Sequence, residues 1–174
     1  MAKEDALLKK IKEGDMDCLD ELVRLYYPDI LRYCLWHTAH RQAAEDATQD
    51  TFLKALHHLD SYIHRGKFRA YLFKIAANVC VDQWRKKGSE TLPDTLPYTE
   101  RGFEQTEAEL GFSKLVAGLP QPQREVVILR FVHDLKVREI AEILGQPMRT
   151  VQTRLRTSLK RLEKELAKGD APHA

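Results

Sequence analysis

Arg149, Gln152, Thr153, Arg156 and Lys160 recur at helical spacing near the carboxy end of the chain. Side chains of these types reach base edges and phosphates in a DNA major groove. From Arg149 to Lys164 there are six basic residues, Arg154 among them, against one acid, Glu163. A solvated face usually mixes both signs, so this excess favours an anionic partner. The opposite stripe, Val151, Leu155, Leu159, Leu162 and Leu166, predicts a buried helix face. Ahead of it, Val137, Ile140, Ala141 and Leu144 predict a short helix that stops at Gly145, with Gln146 and Pro147 forming one tight turn. Two helices joined in this way read as a helix-turn-helix, in which the first braces the second against DNA. Many helical proteins that never touch nucleic acid share the pattern, and the sign of the charge separates the two readings.

A second basic cluster lies upstream. Arg65 to Lys87 carries seven bases against Asp82. Within it Phe68, Leu72, Ile75, Ala76 and Val79 predict a buried face. Lys74, Asn78, Asp82 and Arg85 share the outer face, with Tyr71 and Trp84 near its edges. Aromatic rings interleaved with cations suit single-stranded DNA, since bases stack on rings while cations follow the phosphates. The short polar loop Ile63, His64, Arg65, Gly66 and Lys67 precedes this helix, and its stretch from His64 to Phe68 is the candidate wall of a pocket for an unstacked base. A third face has another character. In AEDATQDTFLKALHHL, Ala44, Ala47, Phe52, Ala55, Leu56 and Leu59 predict the buried side, and Asp46, Gln49, Asp50 and Leu53 span i, i+3, i+4 and i+7 on the other. That is the footprint of a helix that docks on a partner, and equally of a solvated acidic face.

The elements that must hold these faces all read as helices. Lys3 to Glu13 ends at Gly14, Asp15 caps a second helix to about Tyr27, and Pro28 is placed to begin a third that runs to Thr38. Gln42 to Leu59 and Phe68 to Lys86 follow. GSETLPDTLPYTERGFEQTE then breaks the pattern and reads as an extended acidic linker. Helical periodicity resumes near Ala108, and Leu119-Pro120 separates that helix from Gln121 to Val132. No stretch alternates as a strand does, so the expected fold is all-α: two small helical domains, 1–88 and 108–168, around an acidic linker at 89–107, with a disordered tail at 169–174.

Composition is that of an ordinary globular chain, 174 residues with 43% hydrophobic and 31% charged. The net charge of +2 makes any nucleic-acid surface local. No apolar run approaches a membrane span, and the charged amino terminus does not read as a signal peptide, so the expected location is the cytoplasm. Cys18, Cys34 and Cys80 read as buried reduced thiols. Cys34, His37 and His40 fall three apart along one helix side, but a structural zinc site needs four ligands and no fourth is near. The expectation is therefore no metal and no cofactor, with a packed helix end whose histidines are exposed. His57 and His58 diverge on a helix and are expected at the surface.

Three ordered segments together resemble the extracytoplasmic-function (ECF) sigma factors of bacterial RNA polymerase. AEDATQDTFLKAL is similar to the family's acidic AEDxxQ helix, and KFRAYLFKIAANVCVDQWRKK to its aromatic helix with IAxN and DxxR. LPQPQREVVILRFVHDLKVREIAEILGQPMRTVQTRL is similar to its helix-turn-helix segment. The resemblance covers nearly the whole chain. It implies a non-catalytic subunit that binds the clamp of the polymerase largest subunit through Asp46, Gln49, Asp50 and Leu53, and the flap of the second-largest subunit. It also implies that the helix-turn-helix reads the duplex minus-thirty-five element of promoter DNA and that the amino-terminal domain opens and holds the minus-ten element. The linker would thread the polymerase channels, and an anti-sigma protein would hold the chain inactive. Three departures stand out. Tyr71 replaces a favoured Trp, Arg149 a favoured Gly, and Gln152 a position where a base is common, so promoter preference does not carry over. A dimeric helix-turn-helix repressor and a helical adaptor remain alternatives, which binding to core polymerase would separate.

Overall fold

The computed structural model describes residues 2–63, 68–86 and 107–169, and every regular element among them is helical. The elements are α1 (Ala2–Lys12), α2 (Asp17–His37), α3 (Arg41–His57), a 3-10 turn (Leu59–Ser61), α4 (Phe68–Lys86), α5 (Glu107–Ala117), α6 (Gln121–Val127), α7 (Val137–Leu144) and α8 (Met148–Gly169). A π-helical turn, Ile128–Val132, extends α6. α1 to α4 form one helical group and α5 to α8 another. The expected linker lies outside the described residues up to 106, and Glu107, assigned to it from the sequence, already belongs to α5. The expected tail begins one residue early, since α8 includes Gly169, and 170–174 lie outside the described residues.

One expected boundary is wrong. Pro28 does not start a helix but sits inside a continuous 21-residue α2. A mid-helix proline costs about 3 kcal/mol, because its ring crowds the preceding turn and it has no N–H to donate. Here burial outweighs that cost. Leu22, Tyr26, Ile30, Tyr33, Cys34 and Trp36 line the inner side of α2 on both sides of Pro28. A fully buried side chain of this size contributes about 1.5–3 kcal/mol. Asp15 does assist the start, accepting a hydrogen bond from the Asp17 N–H at 3.3 Å.

α3 packs between α2 and α4 because its inner face is small. Ala44, Ala47, Thr48, Thr51 and Ala55 are fully buried, and both threonine hydroxyls donate to carbonyls one turn back, Ala44 and Ala47. That leaves no buried hydroxyl unsatisfied along the contact. α1 closes the end of the group through Leu7, Leu8 and Ile11, and the Tyr26 hydroxyl donates to Glu4.

The two groups are not separate bodies. α7 lies against α4, and a single apolar core continues from Leu7 to Leu162. At the seam the Glu125 carboxylate of α6 meets His37 Nε2 at 2.6 Å and accepts from the Tyr33 hydroxyl at 3.0 Å. His37 Nδ1 lies 2.7 Å from the Tyr33 carbonyl, which can only accept. Both ring nitrogens of His37 therefore face oxygen atoms. Arg69 of α4 donates to the His133 carbonyl at 2.6 Å and to Asp29 at 3.2 Å. The His133 ring packs on Tyr33 and Phe73. This seam explains why Ala70 and Phe73, off the expected buried face of α4, are fully covered.

His37 corrects a second expectation. It is 3% exposed and engaged by Glu125, not a surface histidine. Its supposed co-ligands point elsewhere: Cys34 lies 3.9 Å from Cys80, and His40 caps α3 by accepting from the Ala43 N–H. Among the described residues no cluster of three metal-type side chains occurs, and no helix is long and apolar enough to cross a membrane.

The seam carries a pH signature. Burial, then the neighbouring His37, Arg32 and Arg69, hold the His133 imidazole well below its ordinary value. A histidine that is neutral when packed and ordinary when unfolded stabilises the packed state above its unfolded value, about pH 6.5, and loses that contribution as pH falls below it. His133→Phe keeps the ring contacts and cannot titrate. The melting temperature of the native chain should fall more steeply than that of His133→Phe between pH 6.5 and 5, opening a gap of a few degrees. Parallel curves would exclude the neutral buried imidazole.

Candidate nucleic-acid interface

The helix-turn-helix is set by backbone chemistry at both ends of α7. The Lys136 N–H donates to the Glu139 side chain at 3.1 Å, and Gly145 takes the left-handed conformation at φ 62°. Gln146 N–H then returns to the Ala141 carbonyl at 3.0 Å, which closes the helix end. Pro147 follows and α8 begins at Met148. A left-handed turn of this kind is what aims the second helix away from the first.

α8 buries Val151, Leu155, Ser158 and Leu162. Two residues of the expected apolar stripe are not buried: Leu159 is 45% and Leu166 57% exposed. The angular reason is plain, since Ser158 stands three residues after Leu155 and four before Leu162, in the centre of the contact, and Leu159 is turned aside. Ser158 tolerates the position by donating to the Arg154 carbonyl at 2.6 Å. On the opposite face Arg149, Gln152, Thr153, Arg156 and Lys160 are all exposed. Arg154 differs. It is half-buried at the flank, away from the row the other five share.

On α4, Lys74, Asn78 and Arg85 are exposed and Asp82 is half-buried between Arg85 at 3.8 Å and Lys54 at 3.9 Å. Tyr71 and Trp84 are partly covered. The Trp84 indole donates to the His37 carbonyl at 2.8 Å, so this ring is tied to the seam. Tyr71 stacks near Tyr62 with ring centroids 4.4 Å apart, and burial raises its hydroxyl above the ordinary value. Phe68 lies beneath both rings and is 1% exposed, so it supports the pair and does not present a surface. His64, Arg65 and Lys67 lie outside the described residues.

Sequence reasoning missed the neighbours of Tyr71. Tyr62, Ile63, Tyr71 and Ile75, with His58 and Ser61, line an open cleft of about 520 Å³. Ile63 is 70% exposed at its rim. Burial, then Glu4, pushes the Tyr62 hydroxyl up to about 12, so it stays a neutral donor. Ile75 was marked by helical period and Ile63 by the polar loop, but no periodic signal marked Tyr62, which follows the 3-10 turn, and its adjacency to that loop was the one available hint.

α3 presents Asp46, Gln49, Asp50 and Leu53 outward, with Leu53 66% exposed. Gln42 donates to Asp46 at 3.0 Å.

Residues 22–90 match the family model described as Sigma-70 region 2, and residues 110–162 match Sigma-70, region 4. The chain is 30% identical over 182 residues to the ECF RNA polymerase sigma factor SigW of Bacillus subtilis (strain 168), covering 91% of this chain and 94% of that protein. It is 32% identical over 182 residues to the ECF RNA polymerase sigma factor SigD of Mycobacterium tuberculosis (strain ATCC 25618 / H37Rv), covering 95% and 85%. Two solved structures share the fold. CnrH in complex with the cytosolic domain of CnrY superposes with a TM-score of 0.72 at 22% identity, covering 97% of this chain and 99% of that one. The sigma factor RpoE of Bartonella quintana, in complex with the anti-sigma factor NepR, superposes with a TM-score of 0.67 at 25% identity, covering 87% and 97%.

Gly145 is the sharpest local test of the recognition geometry. A Cβ built there meets nothing within 4 Å, so the cost of substitution is backbone strain alone. Gly145→Ala should lose about 1 kcal/mol and a few degrees of melting temperature. An unchanged melting curve would show that the turn relaxes freely.

Proposed function

The chain belongs to the ECF sigma factors of bacterial RNA polymerase, a group that supplies core polymerase with promoter specificity, and we propose how its residues divide that work. It binds core polymerase and promoter DNA and directs transcription initiation. In our reading residues 1–88 hold the minus-ten element and the polymerase clamp, and residues 108–168 hold the minus-thirty-five element. Gln152, Thr153 and Arg156 read bases, with Arg149 at the start of the same row, and Arg154 and Lys160 hold phosphates. Tyr71, Lys74, Asn78 and Arg85 follow the opened strand, and Asp82 orients Arg85. The remaining expectations, His64, Arg65 and Lys67, belong to the same strand path. The chain does no covalent chemistry and acts in the cytoplasm.

The observation that carries this reading is Leu53, exposed in the acidic row of Asp46, Gln49 and Asp50. A DNA-binding repressor has no use for a polymerase-docking face. The same chain adds an exposed basic row on α8, which an adaptor lacks. Capture of core polymerase by the purified chain, followed by promoter-selective transcription, tests the whole. Capture without transcription would leave an adaptor, and DNA binding without capture a repressor. An anti-sigma partner is part of the proposal, supported by the fold shared with CnrH and with RpoE of Bartonella quintana, both solved with partner chains.

Two substitutions divide the roles. Asp50→Lys should weaken binding to core polymerase roughly five- to tenfold through lost charge complementarity, with the fold intact. Equal affinity in a well-folded variant would remove α3 from the interface. In the major groove Gln pairs best with adenine and Arg with guanine, each bidentate contact giving about 1–3 kcal/mol of discrimination. Promoter selection from a randomised upstream element should therefore lose a preferred adenine with Gln152→Ala and a guanine with Arg156→Ala. Lys160→Ala should weaken all promoters alike and flatten the salt dependence. An unchanged selected sequence in both reader variants would assign readout to other residues.

A further inference from the structure

We propose that Lys12, at the end of α1, is a positioning residue for the single-strand site: its ammonium fixes the Tyr62 backbone and so holds the Tyr62 ring in the aromatic platform on which unstacked bases lie. The inference deepens the strand-holding role proposed for α4, and its structural half stands without that role.

A lysine in the last turn of a helix ordinarily serves the helix dipole or the carbonyls left over at that end. In α1 those carbonyls are already served by the backbone. The N–H groups of Glu13, Gly14 and Asp15 return to the carbonyls of Lys9, Ile11 and Lys10 at 2.9 to 3.1 Å, and Gly14 takes φ 100° to close the end. Lys12 Nζ instead donates to the Tyr62 carbonyl at 2.8 Å, 50 residues away in sequence. The same ammonium lies 6.0 Å from the centre of the Tyr62 ring, at the edge of cation–π reach.

Tyr62 is thereby held at both backbone groups. Its N–H donates to the Leu59 carbonyl at 3.1 Å, which closes the 3-10 turn, and its carbonyl accepts from Lys12. Those two bonds fix the ring they carry, whose centroid stands 5.5 Å from that of Phe68 and 4.4 Å from that of Tyr71. The next residue, Ile63, is 70% exposed and adds little packing of its own. α1 also reaches the platform from its other end. Glu4 accepts from the Tyr26 hydroxyl, and the Tyr26 ring packs on Phe68 with centroids 5.7 Å apart. Leu7, Leu8 and Ile11 are buried between these two contacts. α1 precedes the segment 22–90 that matches region 2, so that likeness gives it no role.

A hydrogen bond between exposed groups adds little stability, because water competes for both partners. Its effect here is on order. One base stacked on an aromatic ring gains roughly five- to hundredfold in affinity. A ring that must first be ordered returns less of that gain, and a ring already fixed returns all of it.

Lys12→Met keeps the stem and removes the donor. In nuclear magnetic resonance of the free chain with ring-labelled tyrosine, Lys12→Met should lose the cross-peak between the Tyr62 and Tyr71 rings with helical circular dichroism unchanged, and Lys12→Arg should retain it. In holoenzyme reconstituted with core polymerase, on a promoter recovered by the upstream selection, permanganate reactivity at the minus-ten element should fall roughly three- to tenfold with Lys12→Met and return with Lys12→Arg. The slope of affinity against salt should not change, and in a Tyr62→Leu background Lys12→Met should have no further effect. A slope smaller by about one would make Lys12 a phosphate contact and overturn the positioning role. An undiminished ring cross-peak, undiminished opening or an additive double variant would overturn it as well. If the native chain opens no promoter, the functional reading falls, and the ring cross-peak alone decides whether Lys12 holds Tyr62.

Discussion

The buried Glu125 carboxylate organises this molecule. It sits on α6, yet its partners, His37 and Tyr33, belong to α2 in the other helical group. Burial pushes its carboxyl up, but the facing His37, the hydrogen bonds from His37 and Tyr33, and Arg124 outweigh that and hold it below its ordinary value. A charge in this place cannot be left unpaired, because a buried group without its partner costs several kcal/mol. The position of α6 relative to α2 follows, and with it the placing of α7 on α4 and of the recognition helix beyond.

Around that contact the two faces proposed for DNA are built by different physics. The α8 row needs rigid presentation, and it receives it from Gly145, the Glu139 cap and a buried stripe that tolerates Ser158 at its centre. The α4 row, proposed to follow an opened strand, has an aromatic platform in which Tyr62 and Tyr71 pack over the buried Phe68. Reading a duplex is a matter of hydrogen-bond pattern. Holding a single strand is a matter of stacking and charge, and a tyrosine such as Tyr71 can supply the ring.

Much of this was legible in the residues. Helical period, the Gly145 stop and the excess of bases placed the helix-turn-helix and its outward row, because those signals are local in sequence. The same locality explains the errors. Pro28 marks a helix start by intrinsic preference, and burial contributed by distant residues overrode it. Leu159 and Leu166 belong to an apolar stripe by residue type, but Leu159 is turned aside from a contact centred on Ser158, and Leu166 lies past Leu162, the last buried residue of α8. His37 looked like a surface histidine because Glu125, its partner, lies 88 residues away. Contacts between groups leave no period, so neither the seam nor the cleft at Tyr62 could be read from spacing.

The distance between the groups tests most directly whether the buried carboxylate sets their packing in the free chain. Spin labels at His57→Cys on α3 and Lys168→Cys on α8, with the three buried native thiols replaced, report it by pulsed dipolar spectroscopy. One narrow, short distribution is expected for the free chain. A broad and long one would contradict a packing set by Glu125.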